Sequence, residues 1–194
     1  MPRPLIPDRR ERILDAAEAL VLSRGFDAMT VSDVAASADI GKGAVYLEFS
    51  GKTDLLDALL RRGSDRMSER ARREIGDDPR LSEAYTAAAR ALLGDALMTA
   101  AFLDDRGVLG RHVDDAAPSR YRDRHEGVIA WLRELQRRGA ISSRVDPEHL
   151  ALALSSATIG LLSASRLLGP LTEASLEGAI TALGTMAAAF ETED

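Results

Sequence analysis

Four side chains within a short stretch of the chain carry groups suited to holding an anion: Thr30, Lys42, Tyr46 and Lys52. Thr30 stands three residues before Asp33, the spacing at which a hydroxyl caps a helix and a carboxylate suits its first turn. A helix opened in this way also turns spare amides and its positive dipole end outward, where a phosphate can rest. Lys42 follows the turn-forming triplet Asp39-Ile40-Gly41 and so opens a second helix. From there its ammonium reaches a phosphate or a guanine edge. Gly43 leaves the backbone of that helix bare for close approach, and Lys52 follows the helix-starting pair Ser50-Gly51. The chemistry on offer is binding, not bond making. The three histidines, His112, His125 and His149, include no Glu-x-x-His pair of the kind that holds metals on helices. Asp114-Asp115 beside His112 reads as a charged, solvated loop. With no nucleophile motif and no glycine-rich phosphate loop, the sequence offers no catalytic residue, no metal site and no cofactor site.

The elements that position these groups are helices. Ile13, Ala16, Ala17, Leu20 and Val21 recur at helical spacing between Asp8 and Arg24, and Gly25 stops that helix in the position where a left-handed residue is wanted. Short helices are expected over 31–38 and 42–49, with Val34, Ile40, Val45 and Phe49 between them, which describes a helix-turn-helix. A long helix follows over 52–75, ended by Gly76-Asp77-Asp78-Pro79. Further helices are expected at 81–94, 95–104, 118–138, 147–166 and 172–191. Asp146-Pro147 is an N-cap followed by proline at the first helical position. Leu171, Thr172 and Leu176 have the spacing of a hydrophobic staple around an N-cap. The segment 104–119 reads as loop.

Composition agrees with this class. Hydrophobic residues make up 45% and aromatics 4%, so the core is mostly Ala, Leu, Val and Ile, which suits close-packed helices. The absence of cysteine excludes disulfides and thiolate metal sites and fits a reducing cytoplasm. The opening residues lack the apolar run of a signal peptide, and the uncharged stretch Leu150 to Ser165 is too short to span a bilayer. A net charge of −6 argues against indiscriminate coating of nucleic acid, and the first third of the chain carries no basic excess.

The run Thr30-Val31-Ser32-Asp33-Val34-Ala35 through Ala38-Asp39-Ile40-Gly41-Lys42-Gly43-Ala44-Val45-Tyr46, followed by Phe49 and Lys52, resembles the DNA-binding head of the tetracycline-repressor (TetR) family over about residues 10–60. The resemblance implies an all-α fold. A three-helix helix-turn-helix head at 1–51 is joined by a long helix to a helical effector-binding and dimerisation body at 52–194. It implies a bacterial, cytoplasmic regulator, more often repressor than activator. Such a protein binds a palindromic double-stranded operator as a homodimer and is released by a small molecule. Thr30, Lys42, Gly43, Ala44, Tyr46 and Lys52 are then the DNA-binding residues, with Tyr46 on a phosphate. Arg9, Arg10 and Arg12 either add phosphate contacts or only solvate the first helix.

Three positions depart from the family pattern. Asp39 replaces the customary turn glycine, and aspartate tolerates a left-handed backbone better than most residues. Ala44 stands where a hydroxyl residue is common, leaving a methyl for a thymine. Leu47 and Glu48 replace residues that are often basic or histidine, and Glu48 suits DNA only by accepting from cytosine or by facing away.

Small residues at Ala153, Ala157, Gly160 and Ala164, with Leu183, Met186 and Phe190 on the last helix, predict a four-helix dimer interface. Met98, Phe102, Tyr121, Trp131 and Leu135 are candidate effector-pocket residues, although such side chains equally serve as core. The rival reading is a helical ligand- or protein-binding module whose head no longer reads DNA.

Overall fold

The computed structural model describes residues 8–76, 78–112 and 119–192. It is helical throughout: α1 Arg9–Arg24, α2 Val31–Ser37, α3 Lys42–Tyr46, α4 Lys52–Glu74, α5 Leu81–Leu93, α6 Ala96–Phe102, α7 Arg106–Leu109, α8 Ser119–Arg137, α9 Pro147–Leu168 and α10 Glu173–Ala188. Among the described residues the sole β pairing is one bridge between Ile141 and Glu191. The all-α class expected from composition and periodicity is the class observed. Helix α7 lies in the segment read as loop; its Asp105 cap accepts from the Gly107 amide at 2.8 Å. Four residues are too few to show a helical period.

Packing divides the chain into two compact units. The first holds residues 1–65 and 96–115, the second 66–95 and 116–194. The division falls inside α4, and the first unit takes in α6 and α7 as well as the head helices.

The first unit is organised around α1, whose Ile13, Ala17 and Val21 are fully buried with Val34, Val45, Phe49, Leu55 and Leu59 from the following helices. Ile40, in the turn, is partly buried against the same core. Gly25 ends α1 with φ +79° and ψ 155°, an extended conformation open almost only to glycine rather than the left-handed helical one expected. The site is closed to a side chain as well: a Cβ at Gly25 would lie 2.5 Å from the Gly107 carbonyl oxygen. The adjacent Phe26 amide donates to the Val108 carbonyl at 2.8 Å, so the α7 turn is seated directly on the end of α1. His112 is buried here, its ring edge-on to Phe26 at 5.8 Å and its Nε2 3.5 Å from Asp57. Across α1 and α4, Arg62 donates to Glu11 (3.0 Å), Asp15 (2.7 Å) and Glu18 (2.6 Å). Burial opposes the Arg62 charge, yet these three carboxylates outweigh it and raise its pKa.

In the second unit Leu81, Leu132, Leu135, Ile141, Leu150, Ala151 and Ala187 form the core. Helix α5 lies close along α10, where Gly184 accommodates Thr86: a Cβ would come 2.4 Å from the threonine methyl. Arg90 of α5 joins Glu74 to Glu177 of α10. Asp146 caps α9 by accepting from the amides of Glu148 (2.8 Å) and His149 (3.4 Å), and Thr172 caps α10 by accepting from Ser175 at 3.1 Å.

Candidate nucleic-acid interface

The geometry of the head starts at Thr30. Its N–H and O–H donate to the Asp33 carboxylate (3.1 and 2.6 Å) while its Oγ1 accepts from the Asp33 amide at 3.1 Å. The capping box is closed in both directions. The Thr30 hydroxyl bond and then its amide bond hold the Asp33 carboxyl below the usual aspartate range. The Thr30 hydroxyl is thus engaged within the chain, beside the Asp33 carboxylate, and the two residues fix the start of α2.

Asp39 adopts φ +53°, the left-handed turn conformation its side chain tolerates, and the chain reverses into α3. Arg12 of α1 locks this corner by donating to the Ala38 carbonyl at 2.6 Å. Val45 and Phe49 anchor the inner face of α3 in the core. The outer face presents Lys42, Gly43, Tyr46 and Leu47, with Tyr46 51% and Leu47 75% exposed and Ala44 half-buried beside them. The Lys42 ammonium lies 5.9 Å from the Tyr46 ring, and a Cβ at Gly43 would meet only open space beyond its own helix backbone and chain neighbours. A cation, a phenol and bare backbone therefore share one open surface.

Lys52 is more engaged than its position suggests. Its ammonium donates to the carbonyls of Phe26 (3.3 Å) and Asp27 (3.2 Å) and lies over the Phe26 ring at 4.6 Å. An ammonium has three donors, so two bonds to the loop leave one for a phosphate. Glu48 faces away from the outer surface: its carboxylate accepts from Arg9 Nε at 2.9 Å and from Nη2, while Arg10 donates to its carbonyl at 3.3 Å and stacks on Phe49 at 4.4 Å. The three arginines of α1 thus brace the two ends of the helix-turn-helix. Sequence reasoning left Arg9, Arg10 and Arg12 open between phosphate contact and solvation, and it missed this bracing because the partners lie 26 to 39 residues away.

The remaining candidate residues fall as follows. Met98 is buried and Phe102 half-buried on α6 of the first unit; Leu135 is fully buried and Trp131 half-buried in the core of the second. Tyr121 belongs to α8, and its side chain lies outside the described residues. Leu135 and Trp131 pack in the Leu81 core, and Met98 is buried within the first unit. Ala153, Gly160 and Met186 are exposed, Ala157, Ala164 and Leu183 are half-buried, and Phe190 packs inward on the Leu81 core. Sequence reasoning missed Leu152 (58% exposed) and Ile159 (46%), which with Ser156 and Gly160 make an uncovered stripe on α9 at 152, 156, 159 and 160. That i, i+4, i+7, i+8 spacing is the signal that would have found them.

Among the described residues no cluster of histidine and carboxylate groups could hold a metal ion, and no helix is long and apolar enough to cross a membrane. His149 lies 3.8 Å from Asp146 but is exposed, and the carboxylate serves the α9 cap. Asp114 and Asp115 lie outside the described residues.

Known proteins share this arrangement. Residues 13–59 match the model of the bacterial regulatory proteins of the tetR family. The HTH-type transcriptional repressor KstR of Rhodococcus jostii is 35% identical over 96 residues, 48% of this chain and 45% of that protein, so the aligned part spans under half of its length. The HTH-type transcriptional regulator TtgR of Pseudomonas putida is 26% identical over 169 residues, 80% of this chain and 79% of the relative. The fold is that of a Rhodococcus sp. crystal structure assigned to the TetR family of transcriptional regulators. The TM-score is 0.72 at 21% identity, over 94% of this chain and 99% of the other. It is also the fold of SmeT in its triclosan complex, with TM-score 0.63 at 22% identity over 95% and 92% of the two chains. Both curated relatives are HTH-type regulators of transcription. The helix-turn-helix head is thus similar to that of the tetR family of bacterial regulatory proteins over residues 13–59, and the fold is shared with regulators of that family along most of the chain.

Proposed function

We propose that the protein is a cytoplasmic repressor that binds a palindromic operator as a homodimer and is released by a small molecule. The observation that carries this reading is the outer face of α3. Lys42, Gly43 and Tyr46 stand exposed on a short helix whose opposite side is fixed in the core by Val45 and Phe49. Lys42, Tyr46 and the remaining Lys52 donor contact phosphates, Gly43 and Ala44 bring the backbone and a methyl close to the bases, and Thr30 holds α2 in place. A second copy is needed because one head offers few donors. Two recognition helices about 34 Å apart enter successive major grooves on one side of the duplex.

The partner surface is the stripe on α9 and α10. Leu152, Ile159 and Met186 are large apolar side chains left in water by the single chain, and Ala153 and Gly160 between them permit close helix approach. The effector is an organic molecule of moderate size. The SmeT–triclosan complex, whose fold this chain shares, supports that class of ligand. Effector binding favours a body conformation in which α4 holds the two heads too far apart for the operator. A coupling of about 1–3 kcal/mol weakens operator binding about 5–150-fold, which is enough to derepress.

The test is fluorescence anisotropy of the protein with labelled duplexes, from upstream of its own gene and from selection out of random sequence, across a salt series. Tight binding that resists competitor DNA, with a steep salt slope, is expected. Flat salt dependence and no preferred sequence would favour a helical ligand-binding module instead.

A further inference from the structure

Among the described residues of the first unit Leu47 is the most exposed large apolar side chain, at 75%, against 51% for Tyr46 and 40% for Leu22. It ends α3 in helical conformation, its amide donating to the Gly43 carbonyl at 3.2 Å, so it lies one turn beyond Gly43 on the same side. Ala44 is three residues before it, and residues three and four apart share a helix face. The centre of the outer surface is therefore carbon: a bare backbone at Gly43, a methyl at Ala44 and an isobutyl group at Leu47. The polar groups stand at its margins, Lys42 at the start of α3 and Tyr46 beside the strip. The carboxylate of the next residue, Glu48, is held by Arg9 and so is drawn away from the outer surface.

In a major groove, only one base edge offers an apolar group. Guanine, cytosine and adenine present donors and acceptors there, whereas thymine presents its C5 methyl beside an acceptor. A leucine that cannot donate or accept finds a complementary surface only at that methyl. We propose that Leu47 is a specificity-determining residue that reads a thymine methyl in each operator half-site, so that this head selects its site by apolar contact more than by hydrogen bonds to guanine. This rests on the reading of α3 as the operator-binding helix and adds to it the base class that the helix selects.

The experiment uses the full-length protein and a duplex selected by it from random sequence. Thymines of each half-site are replaced one at a time by deoxyuridine, which keeps every hydrogen-bonding group and removes only the methyl. At one thymine per half-site the substitution weakens binding by the wild-type chain about fourfold, the factor for one buried methyl-sized group. L47A binds the thymine operator at least as weakly and no longer distinguishes thymine from deoxyuridine at that position. Leu47→Met, which keeps an apolar side chain of similar reach, restores part of the discrimination. Because Leu47 is exposed, both variants are expected to keep the helicity and melting temperature of the parent, which circular dichroism checks.

Equal binding of thymine and deoxyuridine operators by the wild-type chain overturns the assignment while leaving operator binding intact. So does a methyl effect that persists unchanged in L47A. Failure of the wild-type chain to enrich any sequence overturns both this assignment and the operator-binding reading beneath it. Sequence selection and methyl dependence are separate readouts, so the two failures are distinguishable.

Discussion

The Glu48 carboxylate, one residue beyond Leu47, accepts from Nε (2.9 Å) and Nη2 of Arg9 on the first helix. Both side chains are about four-fifths buried, at 21% exposure each, so the pair is shielded enough to hold the end of the helix-turn-helix against α1. It also withdraws a guanidinium from the surface where a phosphate would bind it.

Replacing Glu48 by glutamine removes the charge that holds Arg9. The fold loses about 1 kcal/mol or less, as expected for a partly exposed pair. The freed arginine is expected to add a phosphate contact and steepen the salt dependence of DNA binding by about 0.9 in log–log slope. Urea unfolding and anisotropy over a salt series measure the two effects. An unchanged slope would mean that Arg9 stays out of reach of the backbone.

Lys42→Ala and Tyr46→Phe separate charge from hydrogen bonding on α3. Each removes a contact worth about 1 kcal/mol, or about fivefold in affinity. Only the lysine change lowers the salt slope, by about 0.9, because a phenol hydroxyl displaces no counterion. Identical slopes for both variants and the parent would remove Lys42 from the phosphate contacts.

Gly25→Ala tests the seat of α7 on α1. At φ +79° and ψ 155° an alanine is strained, and its Cβ would press on the Gly107 carbonyl at 2.5 Å. The strain alone is of order 1–3 kcal/mol, so the midpoint of urea unfolding should fall clearly. Wild-type stability in this variant would show that the α7 turn moves aside at little cost.

How much of this was legible beforehand depended on the range of each interaction. Thr30-Asp33, Asp39 and Asp146-Pro147 are local signals, and each produced the cap or turn read from it. Arg9 and Glu48 are 39 residues apart, and no periodicity connects them. The inclusion of α6 and α7 in the first unit depends on bonds such as Phe26 to Val108, which equally leave no trace in the local pattern. At the candidate site, the exposed order of Lys42, Gly43 and Tyr46 followed from motif and spacing. The engagement of Lys52 with the Phe26 and Asp27 carbonyls did not, since it depends on where a distant loop passes.

Acid should act through the helix caps. The Thr30 hydroxyl and amide lower the pKa of Asp33, and the Glu148 and His149 amides lower that of Asp146. A carboxyl whose folded pKa lies below its unfolded value stabilises the fold fully above the unfolded value, near about pH 4, and loses that contribution as pH falls through the folded one. Melting temperatures of the parent should therefore begin to drop as pH falls toward about 4 and go on dropping below it, through the lowered folded values. Asp33→Asn and Asp146→Asn should start lower and fall less. Parallel curves for parent and variants would dissociate the caps from the acid response.

Ile159→Glu puts a charge on the uncovered stripe of α9 at a position 46% exposed in the single chain, so the fold of the subunit is expected to survive. Sedimentation should show the parent as a dimer and the variant as a monomer, with operator affinity reduced at least tenfold, about 1.4 kcal/mol. A dimeric variant would move the partner surface elsewhere.

That same uncovered stripe has a genetic consequence. If two copies pair through it as proposed, a subunit damaged in α3 but intact along α9 and α10 would still recruit a sound partner and disable it, so in a cell carrying both versions lesions at Lys42 or Tyr46 are expected to act dominantly. A charge at Ile159 or Met186 would withdraw the defective subunit from partnership and leave the sound copies to pair among themselves. Loss of function at the stripe is then expected to be recessive.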